Sequence, residues 1–187
     1  HAQNVDWIGT SMGGIIGMLI AGSADPGRIR RLVINDVGPE IPKEALDRII
    51  SYTSGPQPEF ETYPEFEAYF RELYAPMGTR TADEWFNMAS QSLRRKDNGN
   101  LTIHFDTRIV QISDDTAPPV NLWDVFKQVT CPVMLLHGKN SDILLDGIVR
   151  QMQQINPEME LVTIPECGHA PGLHRDHHTK PVLRFLS

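Results

Sequence analysis

Cysteine is nearly absent. Cys131 and Cys167 are the only two in 187 residues, too few for a disulfide scaffold, and they read as free thiols in a reducing, cytoplasmic compartment. Excess positive charge is missing as well: 17 Lys and Arg stand against 24 Asp and Glu, which argues against a nucleic-acid groove. No apolar run is long enough to cross a bilayer, since the stretch Ile15 to Ala21 is broken by Gly17 and reads as a buried helix. The charged start, apolar core and small-residue cleavage site of a secretory leader are not found. Internal repeats and low-complexity segments are lacking too. No carboxylate or thiol spacing around His174, His177 and His178 supports a dedicated metal site, so these histidines read as a solvated polar cluster and no cofactor is expected. The remaining composition is that of an ordinary globular chain, long enough for one compact domain with an insertion.

What is present is organised as alternating strands and helices. Val5 to Ile8 reads as a strand running straight into a helix from Met12 to about Ala21, which Gly22 ends and Asp25-Pro26-Gly27 keeps from resuming. Gly13, Gly14 and Gly17 are expected to let that helix lie close to a sheet. Arg31 to Asn35 is mostly apolar, the pattern of a strand buried on both faces. From Pro42 to about Val129 the texture changes to helical spacing, as in Ala45-Leu46-Ile49-Ile50 and Phe66-Tyr69-Phe70-Leu73, interrupted by turn signals that include Asp97-Asn98-Gly99. Strand character returns from Cys131 to His137, followed by an acidic loop and a helix from about Leu144 to Ile155. A further strand covers Glu160 to Ile164, and Pro181 to Leu186 opens a last helix. Strands alternating with helices predict parallel pairing through right-handed crossovers.

Chemistry concentrates in three places. Gly9-Thr10-Ser11-Met12-Gly13 has the Gly-x-Ser-x-Gly pattern, in which a serine sits on a sharp strand-to-helix turn with its hydroxyl exposed and small residues around it avoid clashes across the bend. The backbone N–H of Met12 would face a developing oxyanion at the helix N-terminus. A serine hydroxyl is a poor nucleophile at neutral pH and needs a base, which in turn needs an orienting carboxylate. His169, in the small-residue loop Cys167-Gly168-His169-Ala170-Pro171-Gly172, is the candidate base. Asp142, in the loop Gly138-Lys139-Asn140-Ser141-Asp142, is the leading candidate acid. Asp36, after the second strand, is its rival, with a structural carboxylate at the turn as the alternative reading. His104 and His137 read as structural. Trp85 and Trp123 are candidates to line an apolar acyl pocket, although as aromatics of the insertion they serve equally well as its own core.

With these motifs in order, the chain resembles the α/β-hydrolase family, in its Ser-Asp-His branch with a helical cap. The resemblance implies an α/β fold: the C-terminal part of a mostly parallel sheet with helices on both faces and an inserted helical cap. It divides the chain into core (1–41), cap (42–129) and core (130–187). It also implies a serine hydrolase that transfers an acyl group from an ester-like or other carbonyl bond of a small, apolar substrate, in the manner of esterases, lactonases or C–C-bond hydrolases. The cap would cover the site and set specificity. Perhydrolysis of the haloperoxidase kind uses the same residues, and a non-catalytic ligand-binding or interaction module is the alternative of a different class. The family's front strands and the loop carrying a second oxyanion donor have no counterpart here. The strand at Val5 to Ile8 is therefore expected to form an uncovered apolar edge, and these residues alone are expected to need their N-terminal portion for stability and full activity. The expected partner is a small-molecule substrate, with neither nucleic acid nor membrane.

Overall fold

Apolar strands alternating with helices fold here into a parallel sheet. A computed structural model of the chain describes residues 4–23, 25–54, 56–78, 80–106 and 120–187. The elements are β1 (Val5–Thr10), α1 (Met12–Ala21), β2 (Ile29–Asn35), α2 (Lys43–Thr53), α3 (Tyr63–Tyr74), α4 (Ala82–Gln91), β3 (Leu93–Arg95), β4 (Leu101–Ile103), α5 (Trp123–Phe126), β5 (Val133–Gly138), α6 (Asp146–Ile155), β6 (Glu160–Ile164) and α7 (Asp176–Phe185). They group into two compact units, residues 1–45 with 119–187, and residues 46–118.

The first unit holds a four-stranded sheet in the order β1-β2-β5-β6, every pair parallel. All six residues of β5 are buried, as are four of the last four of β2, the burial on both faces that a central parallel strand requires. Leu32, Val33, Ile34, Met134, Leu135 and Leu136 have at most traces of exposure. At about 1.5–3 kcal/mol for each such side chain removed from water, these two strands supply the sheet's main cohesion. Gly14 and Gly17 bring α1 against the sheet, since a Cβ at Gly17 would lie 2.7 Å from both Leu32 and Trp7. Gly13 does not share this role: a Cβ there would meet nothing within 4 Å. Its carbonyl instead accepts a 2.8 Å hydrogen bond from the Trp7 indole. Gly22 does cap α1, but at φ −91°; glycine is needed there because a Cβ would fall 2.4 Å from the Val125 carbonyl of α5. Among the described strands β1 pairs with β2 alone, and Val5, Ile8, Met12, Ile16 and Leu19 leave substantial apolar surface exposed along β1 and α1. That is the uncovered edge the sequence predicts.

The second unit is helical in the main. Thr62 and Thr81 open α3 and α4 as Thr-x-x-Glu boxes, with the backbone N–H of Thr62 donating to Glu65 at 3.1 Å and that of Thr81 to Glu84 at 2.7 Å. Phe66, Phe70, Trp85, Ala89, Leu101 and Ile103 form its core. This unit, 46–118, lies within the expected insertion of 42–129, while α5 packs on α1 in the first unit. The second unit is less purely helical than expected. Lys96 to Asn100 turns the chain back on itself with Gly99 at φ 89°, so β3 and β4 pair antiparallel. Asn98-Gly99 is the hairpin signal that the helical reading passed over. Phe60 adds to β4 by exchanging backbone hydrogen bonds of 2.9 and 2.8 Å with Leu101.

Glu59, beside Phe60, gathers the hairpin turn. Its carboxylate accepts from Lys96, from Asn98 at 2.9 Å and from Asn100 at 3.2 Å. These bonds pull its pKa from 4.5 to about 2, the Lys96 bond most strongly. A carboxylate depressed in the folded state stabilises fully above its unfolded value and loses that contribution as pH falls towards the folded one. Glu59→Gln is therefore expected to lower the urea midpoint at neutral pH by a modest amount, as suits a solvent-screened pair. The gap to the parent chain should close between about pH 4.5 and pH 2. An equal gap at every pH in a urea titration series would refute the assignment.

Candidate active site

The C-terminal ends of β1, β2 and β5 and the loop after β6 converge on one constellation within the first unit. β1 gives way to α1 at Ser11, whose backbone is held at φ 52°, ψ −119°. A non-glycine residue with positive φ costs of order 1–3 kcal/mol and persists only where its surroundings over-determine it. Here the Ser11 N–H donates to the Asn35 carbonyl at 3.0 Å, and the Ser11 carbonyl accepts from Gly14 and Ile15 at 2.8 and 3.2 Å. Gly9 makes the bend possible: a Cβ there would sit 2.2 Å from the Gly13 carbonyl group. Met12 follows as the first residue of α1, where backbone N–H groups have no intrahelical acceptor and the helix dipole favours negative charge.

His169 lies two residues beyond Cys167 in the loop after β6. Its Nε2 is 2.9 Å from the Ser11 hydroxyl oxygen, and its Nδ1 is 2.9 Å from Oδ2 of Asp36. Asp36 follows β2 at φ 58° and is fully buried. A buried carboxylate only accepts hydrogen bonds, so Nδ1 carries the proton and donates to Asp36. That leaves Nε2 as the acceptor for the Ser11 O–H. The other oxygen of Asp36 accepts the backbone N–H of Gly138 at 2.7 Å. Both carboxylate oxygens are thereby satisfied, which is the condition for keeping such a charge out of water.

Asp142, the leading candidate acid from the sequence, is not the partner of His169. The correction has a geometric cause. β2 lies between β1 and β5, so the residue that leaves its C-terminal end is one strand spacing, about 4.8 Å, from the Ser11 strand. The loop after β5 closes early instead: the Ser141 hydroxyl accepts from the backbone N–H groups of Ile143 and Leu144 at 3.2 and 3.0 Å, and Asp142 is carried to the exposed side of that turn. His137, read as structural, is buried with Nε2 3.0 Å from the Leu144 carbonyl, bracing the same loop.

The other expectations divide. Trp85 is a core residue of the second unit, with the guanidinium groups of Arg71 and Arg80 at 5.9 and 5.5 Å from its ring. Trp123 is buried in the first unit and its indole donates to Glu40 at 2.6 Å. Packing accounts for the burial of both. His104 is exposed. His174 and His177 are exposed as expected, whereas His178 is buried, edge-on to the His177 ring at 4.2 Å. Neither Cys131 nor Cys167 is in a disulfide; the buried Cys167 thiol donates to the Gly168 carbonyl at 3.3 Å, and burial pushes the Cys131 thiol up from its ordinary value. Among the described residues no group of three or more His, Cys, Asp or Glu could hold a metal ion, and no helix is long and apolar enough to cross a membrane.

Sequence reasoning missed Gly138 as a structural requirement. Besides its N–H to Asp36, a Cβ on Gly138 would lie 2.5 Å from the Gly168 carbonyl and 2.7 Å from that of Cys167. Lys139 and Asn140 donate to the carbonyls of Ile164 and Cys167 at 3.0 and 2.9 Å. The histidine loop is thus laid directly on the end of β5, and backbone, not side chain, sets the distance.

The profile of the "Alpha/beta hydrolase family" matches residues 1–184. The chain is 32% identical over 180 residues to the 3-hydroxybutyrate-oligomer hydrolase of Cupriavidus necator, covering 91% of this chain and 61% of that protein. It is 23% identical over 144 residues to the 2-(acetamidomethylene)succinate hydrolase of Mesorhizobium japonicum, 77% of this chain and 50% of that one. Among solved structures, an alpha/beta hydrolase from Novosphingobium aromaticivorans matches with a TM-score of 0.88 and 33% identity, over 98% of this chain and 65% of that one. The chain therefore spans between half and about three fifths of the length of these two curated relatives.

Gly138→Ala is expected to push the histidine loop off β5. The overpacking should cost about 1–3 kcal/mol in a urea melt, whereas Gly13→Ala, with open space around its Cβ in a helix, should be neutral or stabilise by up to about 1 kcal/mol.

Proposed function

The chain belongs to the alpha/beta hydrolase family, and on that premise we propose that it is a serine hydrolase working by acyl transfer through Ser11, His169 and Asp36. The observation that carries the reading is the unbroken run of hydrogen bonds from the Ser11 hydroxyl through both nitrogens of His169 to the buried Asp36 carboxylate. Nothing in a merely stable fold calls for a strained serine, an imidazole and a water-excluded carboxylate in that order.

In the proposed reaction His169 Nε2 takes the Ser11 proton as Oγ attacks the carbonyl carbon of an ester. The carbonyl's π electrons move onto its oxygen, and the Met12 N–H at the start of α1 stabilises that charge. One such donor is worth on the order of 10²–10³ in rate. Asp36 stabilises the imidazolium and keeps its tautomer. The imidazolium proton then passes to the departing alcohol as the C–O bond breaks, leaving an acyl-serine. A water molecule gives its proton to His169 and attacks in turn, releasing the carboxylic acid and restoring Ser11. Similarity to a hydrolase of 3-hydroxybutyrate oligomers over most of the chain favours short oligoesters of hydroxy acids as substrates. Since the chain spans about three fifths of that relative, the activity of the whole enzyme is part of this proposal.

Fluorophosphonate labelling tests it directly. The full-length protein should label on a single serine and its Ser11→Ala variant should not. Asp36→Asn is expected to lower the labelling rate by about 10⁴, because the imidazole is then held in the wrong tautomer, while Asp142→Asn should stay within a few-fold of the parent. Hydrolysis of a 3-hydroxybutyrate dimer would be followed in parallel. A folded full-length protein that never labels would leave the non-catalytic, ligand-binding reading standing, and a large loss at Asp142→Asn would reassign the acid.

A further inference from the structure

Asn35 precedes Asp36, ends β2, and is fully buried. Both N–H bonds of its side-chain amide are used. One donates to the Thr10 hydroxyl at 2.9 Å and the other to the Pro171 carbonyl at 2.9 Å. Thr10 is the residue before Ser11, and Pro171 is two residues beyond His169. The backbone carbonyl of Asn35 accepts the Ser11 N–H at 3.0 Å. One residue is therefore bonded to the serine and the residue before it, to the histidine loop two residues past His169, and covalently to the carboxylate-bearing residue.

The amide's own carbonyl oxygen, Oδ1, is buried and has no partner among the described residues. A buried acceptor without a donor opposes folding, and an apolar residue of similar volume would avoid it. What the amide offers in return is two donors on one planar nitrogen. Ionised aspartate offers none and serine one. The pair of bonds spans the strand that carries Ser11 and the loop that carries His169, beside the Ser11–His169 bond itself.

We propose that Asn35 is a positioning residue that sets the distance between Ser11 and His169 by tying β1 to the histidine loop. It touches no reacting atom and acts through Thr10 and Pro171. This inference rests on the reading of Ser11, His169 and Asp36 as the reacting set. Its consequence is specific: removing the tie lets the loop drift against the strand, and misplacement of about 1 Å costs on the order of 10²-fold in rate. Recognition of the acyl group is left alone.

The experiment compares the full-length protein with its Asn35→Ala and Thr10→Val variants by fluorophosphonate labelling at increasing reagent concentration, with circular dichroism to verify folding. Proton NMR follows the downfield Nδ1–H signal of His169. Asn35→Ala should lower the saturating rate constant 10- to 100-fold, leave the half-saturating concentration within two-fold, and broaden or abolish the signal. Thr10→Val, which removes one acceptor, should move both readouts in the same direction by less. A folded Asn35→Ala with parental rate constant and signal would overturn the proposal, as would an equal rise in half-saturating concentration at constant rate. If Asn35→Ala does not fold, Thr10→Val decides, and its parental behaviour in both readouts refutes the tie. A full-length protein that stays unlabelled would sink the functional reading instead. The NMR comparison would then still decide whether Asn35 holds the histidine in place.

Discussion

A carboxylate with no access to water has to be satisfied by its neighbours, and the site is arranged around that demand. Asp36 has two oxygens to pair: one takes the Gly138 N–H and the other the His169 ring. The first bond ties the acid to the end of β5; the second fixes which imidazole nitrogen carries the proton. Because Gly138 also lies against the carbonyls of Cys167 and Gly168, the residues that satisfy Asp36 are the ones that place the histidine loop. Burial of one charge therefore dictates the position of a strand end, a loop and a tautomer together.

The strain at Ser11 belongs to the same arrangement. Positive φ at Ser11 and at Asp36 marks two neighbouring strands that both leave the sheet abruptly, and such turns endure only because the sheet beneath them is rigid. β2 and β5 supply that rigidity through side chains buried on both faces. Among the described strands β1 pairs with β2 alone, which gives weight to cross-links between it and the rest: the Trp7 indole on Gly13, the Ser11 N–H on Asn35, and the Asp6 carboxylate held by Arg30 and Arg31. Those arginines keep the Asp6 carboxyl well below the usual carboxylate range, so this link stays charged across physiological pH.

The order of elements in the sheet unit was legible residue by residue. The run Met12 to Ala21 is the observed α1 and Glu160 to Ile164 the observed β6, because apolar composition bounded by glycine, proline or a polar turn leaves little freedom in an element of that length. The second unit was read less well. Helical spacing around Phe66, Phe70 and Trp85 is real, but three-residue strands such as β3 and β4 are too short to show a period, and only Asn98-Gly99 betrayed them. Trp123 was grouped with the insertion because it lies in its stretch of sequence; burial against the sheet unit is a tertiary matter. Pro181, taken as the opening of the last helix, lies inside α7, which begins at Asp176.

Local chemistry alone determined that Ser11 would sit at a strand-to-helix bend, since Gly9 leaves room for the close backbone approach the turn needs, and that His169 would ride a small-residue loop after β6. Which aspartate meets the histidine was decided only by the tertiary structure. Asp36 and Asp142 each follow an apolar strand at a turn, and their sequence surroundings do not separate them. Strand order does: β2 lies beside β1 and β5 does not, and the Ser141 turn carries Asp142 away before it can reach the imidazole. The roles of Asn35 and Gly138 were decided in the same way, because a hydrogen bond across 102 or 136 positions of sequence leaves no local trace and exists only once the sheet has brought its ends together.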